Sequence, residues 1–231
     1  MVGDRLGPKK TPDPQRPSST VRAVLVVVGL AAWFGTQSLI GARPDPGGRI
    51  GDAVLEWTAP AHDWLVGHPQ WADRLLIVSS GVIDVLGVLI LGRAIFGPSV
   101  RPFLALLILF GLRQICQALV ALPPPEGMIW RYPGVPSLLV TYGVSNDLFF
   151  SGHTGMAVIG ALELGRLGRR WLSLLGVGIV AFEMATVVVL RAHYTMDIFA
   201  GAVAALLAAA LAERLAPVCD RALSRGASPA A

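Results

Sequence analysis

Two short stretches carry residue types suited to proton and phosphoryl chemistry. The first is His193-Tyr194-Thr195-Met196-Asp197, which opens the last apolar segment. In a helix, residues four apart share a face. A carboxylate placed this way beside an imidazole holds one tautomer and stabilises the charged ring, preparing it as a nucleophile or proton carrier. The second stretch is Ser151-Gly152-His153-Thr154, forty residues earlier and also at the start of an apolar segment. If the two helix starts meet, they form one site. Each motif also has a plainer use, with Asp197 as a helix cap and either histidine as a membrane-boundary residue.

The segments that must position these residues are strongly apolar. The chain has 231 residues, of which 54% are hydrophobic and 15% charged. Soluble domains carry about a quarter charged residues, so the composition points to an all-α integral membrane protein. The net charge of +4 comes mostly from arginines lying between apolar segments, as in cytoplasmic loops. No nucleic-acid-binding motif accompanies it, and nucleic acid is not an expected partner. Cys116 and Cys219 should lie at different levels, so no disulfide is expected, and no zinc-type cysteine spacing is present.

Six transmembrane helices are expected: 21–41, 72–96, 102–122, 147–164, 171–190 and 193–211, each long enough to cross the hydrocarbon. They form one membrane catalytic domain, 21–211. A Pro-rich arm, 1–20, should be disordered, and a polar, Ala-rich tail, 212–231, should fray. The first span follows roughly 20 polar residues and reads as a retained anchor, not a signal peptide. In the polar connection 42–72, residues 53–66 suit a short interfacial helix with Trp57, Trp64 and Trp71 as anchors. His62 and His68 fall beside these tryptophans and are expected to be interfacial.

Thirteen Lys and Arg residues fall on one side of this topology and five on the other. The positive-inside rule then places both termini in the cytoplasm. His153 and His193 come to the same, outer side. Below His193 and Asp197 the helical face continues as Gly201, Ala205 and Ala209. Below His153 it continues as Ala157, Gly160 and Ala161. Small stripes let membrane helices approach closely, which gives the two imidazoles a route to each other.

Several charges lie inside spans, where an unpaired charge is expensive. Arg113 should sit about 14 Å from the outer end of its span. It could touch a substrate phosphate, but pairing with Asp84 or Glu183 is the favoured expectation. Arg191, two residues before His193, could face a transferred phosphoryl group or lipid phosphate. Asp147 could support His153 or cap its helix.

Asp147-Leu148-Phe149-Phe150-Ser151-Gly152-His153-Thr154 resembles the Asp-x-x-x-Ser-Gly-His-Thr motif of the sphingomyelin synthases. His193-Tyr194-Thr195-Met196-Asp197-Ile198 resembles their His-Tyr-Thr-x-Asp-Val motif. Arg113, Leu122-Pro123, Pro125, Gly127 and Met128 follow that family's third-span and loop pattern. The similarity covers roughly residues 105–205. Ser145 and Asn146 replace a Cys-Gly pair, Ala202 replaces an aromatic, and position 187 is Val where the wider type-2 phosphatidic acid phosphatase superfamily has Arg.

The resemblance implies a phosphatidic acid phosphatase-like helical bundle that works without metal or cofactor. It implies that His193 attacks phosphorus, Asp197 orients it, and His153 carries the proton between leaving and accepting hydroxyls. Asp147, Ser151, Arg191, Arg113 and Tyr194 become candidate substrate-binding residues. The expected activity is transfer of a phosphocholine- or phosphoethanolamine-class head group from a membrane phospholipid donor to a lipid hydroxyl such as that of ceramide or diacylglycerol. With water as acceptor the same site would make a lipid phosphatase or phospholipase C-like hydrolase. A non-catalytic lipid transporter or scaffold, and a zinc site built from His153, His193 and Asp197, are the other readings. The oligomeric state is not legible in the chain.

Overall fold

The structure, a computed structural model, describes residues 18–42, 50–143 and 148–225. The expectations for residues 1–17 and for Asp147 lie outside these. The described residues form helices and no strand: α1 Ser19–Gly41, α2 Ala53–Trp57, α3 Ala59–Gly67, α4 Pro69–Phe96, α5 Arg101–Leu119, α6 Gly152–Gly165, α7 Arg170–Val189 and α8 Thr195–Arg225. Local chemistry sets many of the boundaries. Ser18, Asp52 and Ser151 cap α1, α2 and α6 with their side chains, and proline occupies the first turn of α3, α4 and α5. Such a proline has no N–H to leave unsatisfied.

Five of these helices, α1, α4, α5, α7 and α8, are long and apolar enough to cross a membrane. Their outward faces are apolar too: Val85 is 68% exposed and Leu174 73%. The chain is therefore a multi-pass membrane protein in character. The expected fourth span differs. Its helix, α6, has 14 residues, about 21 Å at 1.5 Å per residue, short of a hydrocarbon core of about 30 Å. Leu148, Phe149 and Phe150 are apolar but not helical, so hydropathy overstated the helix.

Most of α6 is buried among its neighbours. Met156 and Ile159 join Ile83 and Ile90 of α4, Leu109 of α5, and Ala205 and Ala208 of α8 in the main core. Small residues set the spacing. A Cβ at Gly160 would lie 2.7 Å from Leu86 of α4, and one at Gly176 of α7 would lie 2.9 Å from Ala161. The α6 stripe therefore serves α4 and α7 as well as α8.

The end of α6 remote from the histidines is fixed by charge. Glu163, 1% exposed, receives hydrogen bonds from Arg101 at 2.6 Å, Arg93 at 3.1 Å and Arg166 at 3.2 Å. Arg166 also pairs with Glu213 of α8. Helix α8 runs on to Arg225, past Leu211 where the span was expected to give way to a frayed tail. Ala212 and Ala216 are buried in that extension, and Asp220 accepts the Val100 N–H at 2.9 Å. Packing thus holds as helix what composition alone marked as polar.

The connection 50–68 forms two short helices where one, over 53–66, was expected, with a break at Thr58 before Pro60. His62 is the exception to the interfacial expectation: it is 2% exposed and its Nδ1 donates to the Val189 carbonyl at 2.9 Å. It sits against Gly127, whose φ of +77° and lack of Cβ allow the close approach.

Candidate active site

His193 lies in the turn before α8, not in the helix as its spacing from Asp197 suggested. Asp197 is in the first helical turn. Its carboxylate accepts the Tyr194 N–H at 3.0 Å, as an acid at the third helical position does in a capping box. This hydrogen bond folds the turn back over the helix start. Asp197 Oδ2 then lies 3.5 Å from His193 Nδ1. That is longer than a formed hydrogen bond, and within the range that tightens when substrate binds. His193 is 7% exposed and Asp197 1%.

The second motif meets the first through the backbone. Ser151 N–H donates to the Asp197 carbonyl at 3.0 Å. Gly201, one turn further into α8, faces the Ser151 carbonyl so closely that a Cβ would stand 2.6 Å from it. Ser151 is fully buried, and its hydroxyl accepts from the Thr154 N–H and hydroxyl. It therefore caps α6 and sets the position of His153, which is 8% exposed.

Both imidazoles line one cavity of about 60 Å³, together with Arg113, Gln37, Trp33 and Trp130. Among the described residues His153 Nε2 is buried without a hydrogen-bond partner, and the Trp130 ring meets the His153 ring edge-on at 5.1 Å. Arg113 donates from Nε to the Phe150 carbonyl at 2.8 Å and from Nη1 to Gln37 at 3.1 Å. The expected pairing of Arg113 with Asp84 or Glu183 is not made. Asp84 instead accepts Ser137 and the N–H groups of Leu138 and Leu139 at 2.9–3.0 Å, and Glu183 accepts the Ser79 hydroxyl at 2.6 Å. Asp84 thereby pins the loop that carries Leu139, Val140 and Thr141 to the cavity wall.

Arg191 and Tyr194 are beside the cavity, not on it. Arg191 donates to the Glu126 carbonyl at 2.8 Å, and with Tyr194, Asp52 and Glu126 it lines a neighbouring pocket of about 200 Å³. Among the described residues no group of three or more His, Cys, Asp or Glu is arranged to hold a metal.

Three wall-forming residues gave no sign in the sequence. Trp33 and Gln37 come from α1, and Trp130 comes from the connection between α5 and α6. Asp52 also escaped notice. Its carboxylate accepts the Thr195 N–H at 2.6 Å and the Thr195 hydroxyl at 2.8 Å while capping α2 through Val54 and Leu55. The signal for the α2 cap was present, an Asp just before an apolar helical run. Burial pushes the Asp52 carboxyl up, but the hydrogen bonds from Thr195, Leu55 and Val54 outweigh it and hold the group below its ordinary 3.8.

A family model described as AtPDCT1/2 matches residues 51–214, more than half of the chain and all of the His–His–Asp constellation. The chain belongs to the AtPDCT1/2 family. This is a family of lipid phosphotransferases, named for phosphatidylcholine:diacylglycerol cholinephosphotransferase. No curated protein compared with the chain matches it. The enzyme class expected from the motifs, a membrane lipid phosphotransferase, is the class of the AtPDCT1/2 family. Helix α1, which supplies Trp33 and Gln37, falls outside the matched residues.

Proposed function

We propose that the protein moves phosphocholine from phosphatidylcholine to the hydroxyl of a diacylglycerol, through a phosphohistidine at His193. The observation that carries this reading is the shared buried cavity of His153, His193 and Arg113, in a chain of a lipid cholinephosphotransferase family. Asp197 faces His193 Nδ1, which leaves Nε2 as the attacking nitrogen. As the new N–P bond forms, the P–O bond to the donor glyceride breaks, and His153 protonates the departing alkoxide. His153 then takes the proton from the incoming hydroxyl, whose oxygen attacks phosphorus as the P–N bond breaks. Arg113 stabilises the charge on the transferred oxygens. Asp147 and Ser151 support His153, and Arg191 and Tyr194 form the rim toward the neighbouring pocket.

The mechanism and the wider phosphatidic acid phosphatase-like ancestry rest on the motif resemblance. The sixth crossing rests on the hydropathy of residues 147–164, and the outer-face orientation with cytoplasmic termini rests on the Lys and Arg count. Hydrolysis, in which water attacks the same phosphohistidine, is the outcome that the test separates from transfer.

The test uses protein reconstituted in vesicles containing choline-labelled phosphatidylcholine and an acyl-labelled diacylglycerol. Appearance of phosphatidylcholine carrying the labelled acyl chains supports transfer, and free phosphocholine marks hydrolysis. Parallel vesicles with ceramide test a sphingolipid acceptor. His193→Ala and His153→Ala should abolish the product. If neither product forms in the wild type, or if both survive His193→Ala, the reading is wrong.

A further inference from the structure

Asp52 lies 143 positions from Thr195 in sequence, yet the two share two short polar contacts at the His193 turn. Asp52 Oδ2 accepts the Thr195 N–H at 2.6 Å, and Oδ1 accepts the Thr195 hydroxyl at 2.8 Å. Thr195 is the first residue of α8 and stands two residues after His193. Oδ1 also accepts the Val54 N–H at 3.0 Å and the Leu55 N–H at 3.3 Å. One carboxylate therefore satisfies the first N–H groups of two helices, α2 and α8. Such orphan donors are normally served by a residue of their own chain segment.

The turn between α7 and α8 needs outside support. Arg191 adopts a left-handed φ of 51°, a conformation unfavourable for a residue with a Cβ. Among the described residues four contacts hold the turn: Ile129 N–H to the Leu190 carbonyl at 2.8 Å, Arg191 to the Glu126 carbonyl at 2.8 Å, Ser151 N–H to the Asp197 carbonyl, and Asp52 to Thr195. The contact from Asp52 is the one nearest in sequence to His193.

We propose that Asp52 is a positioning residue for His193, fixing the height of the histidine over Asp197 and its aim into the cavity. This rests on the functional reading above. Asp52 does not touch the cavity itself, so it acts through Thr195 on the orientation of the nucleophile and not on substrate binding.

Asp52→Asn is a selective perturbation. If the amide keeps its oxygen at the Oδ1 position, α2 stays capped, while the NH2 group faces the Thr195 N–H and both would donate. Thr195→Val removes the Oγ1 bond alone. In reconstituted protein, Asp52→Asn should lower kcat for phosphocholine exchange between about tenfold and a hundredfold, with KM for both lipids within about twofold. Thr195→Val should lower it less, and the double variant should fall no further than Asp52→Asn, because both act on one contact.

Acylation of histidines by diethylpyrocarbonate, read by mass spectrometry, gives a measure independent of activity. His193 should react several times faster in both variants, while buried His62 stays as slow as in the wild type. Unchanged kcat with an unchanged His193 acylation rate in both variants overturns the proposal. So does equal acceleration at His62, which would mark general unfolding, and Thr195→Val carries the test if Asp52→Asn does not fold. A wild type without exchange or hydrolysis overturns the functional reading alone, and the acylation rates still decide the role of Asp52.

Discussion

Gly201→Ala tests how the two motifs are held together. The added methyl would stand 2.6 Å from the Ser151 carbonyl oxygen and 3.5 Å from Thr154 Cβ. Since Cβ contacts under 3.0 Å essentially do not occur, α6 and α8 must part there by about 0.4 Å or more. The obstructing atom is backbone and already accepts the Gly155 N–H at 3.1 Å, so it cannot swing aside. The same parting lengthens the 3.0 Å bond from Ser151 N–H to the Asp197 carbonyl toward the limit of useful hydrogen bonding. Overpacking of this kind costs about 1–3 kcal/mol. Misplacing a reacting group by about 1 Å can cost about a hundredfold in rate, so a shift of roughly half that predicts about a tenfold loss of transfer. The assays are exchange in vesicles and thermal unfolding in detergent, with Gly178→Ala as control because nothing lies within 4 Å of a Cβ there. A Gly201→Ala protein with wild-type rate and melting temperature would refute the close approach. A protein that loses stability but keeps its rate would refute the link between helix separation and catalysis.

Arg113→Lys keeps the charge but loses the planar fork that reaches Phe150 and Gln37 together, and should reduce exchange at least about tenfold with little change in expression. Glu163→Gln leaves Arg93, Arg101 and Arg166 without their shared carboxylate. Breaking a buried pair costs about 3–5 kcal/mol, with the lower end expected because the arginines are partly exposed, and thermal unfolding measures it. Asp52 titrates below its ordinary 3.8 in the folded protein. It therefore favours the folded state fully above the unfolded value, and that contribution is lost as pH falls through the lowered one. Acid unfolding profiles of wild type and Asp52→Asn should stay fully separated above about pH 3.8 and draw together as pH falls below it. Gly127→Ala forces a Cβ into a φ of +77° and to 3.0 Å from His62 Nε2. It should destabilise by about 1 kcal/mol or more, visible as a lower melting temperature.

The three residues proposed for the chemistry stood out because their motifs are short and local, and the structure brings them to one place. The reason for their spacing was not legible. His193 and Asp197 are four apart, yet only Asp197 is helical, and the pairing comes from Asp197 reaching back to the Tyr194 N–H. Hydropathy located five crossings but misjudged α6, because Leu148, Phe149 and Phe150 are apolar without being helical. Asp84, Arg113 and Glu183 were recognisable as costly intramembrane charges. Their partners were not, since they include loop N–H groups for Asp84, a backbone carbonyl and an amide for Arg113 and a hydroxyl for Glu183, and sequence does not display such pairings. Trp33, Gln37 and Asp52 acquire their roles only across long chain separations, where no local pattern exists to be read.

The shortness of α6 has a consequence for how the chain is made. A segment of 14 helical residues bonded to its neighbours at both ends, through Ser151 to α8 and through Glu163 to α4 and α5, is not an autonomous insertion unit. Its packing depends on partners, of which α8 is synthesised later. His153 and His193 can therefore come to one cavity only after the last helix has been made and has docked.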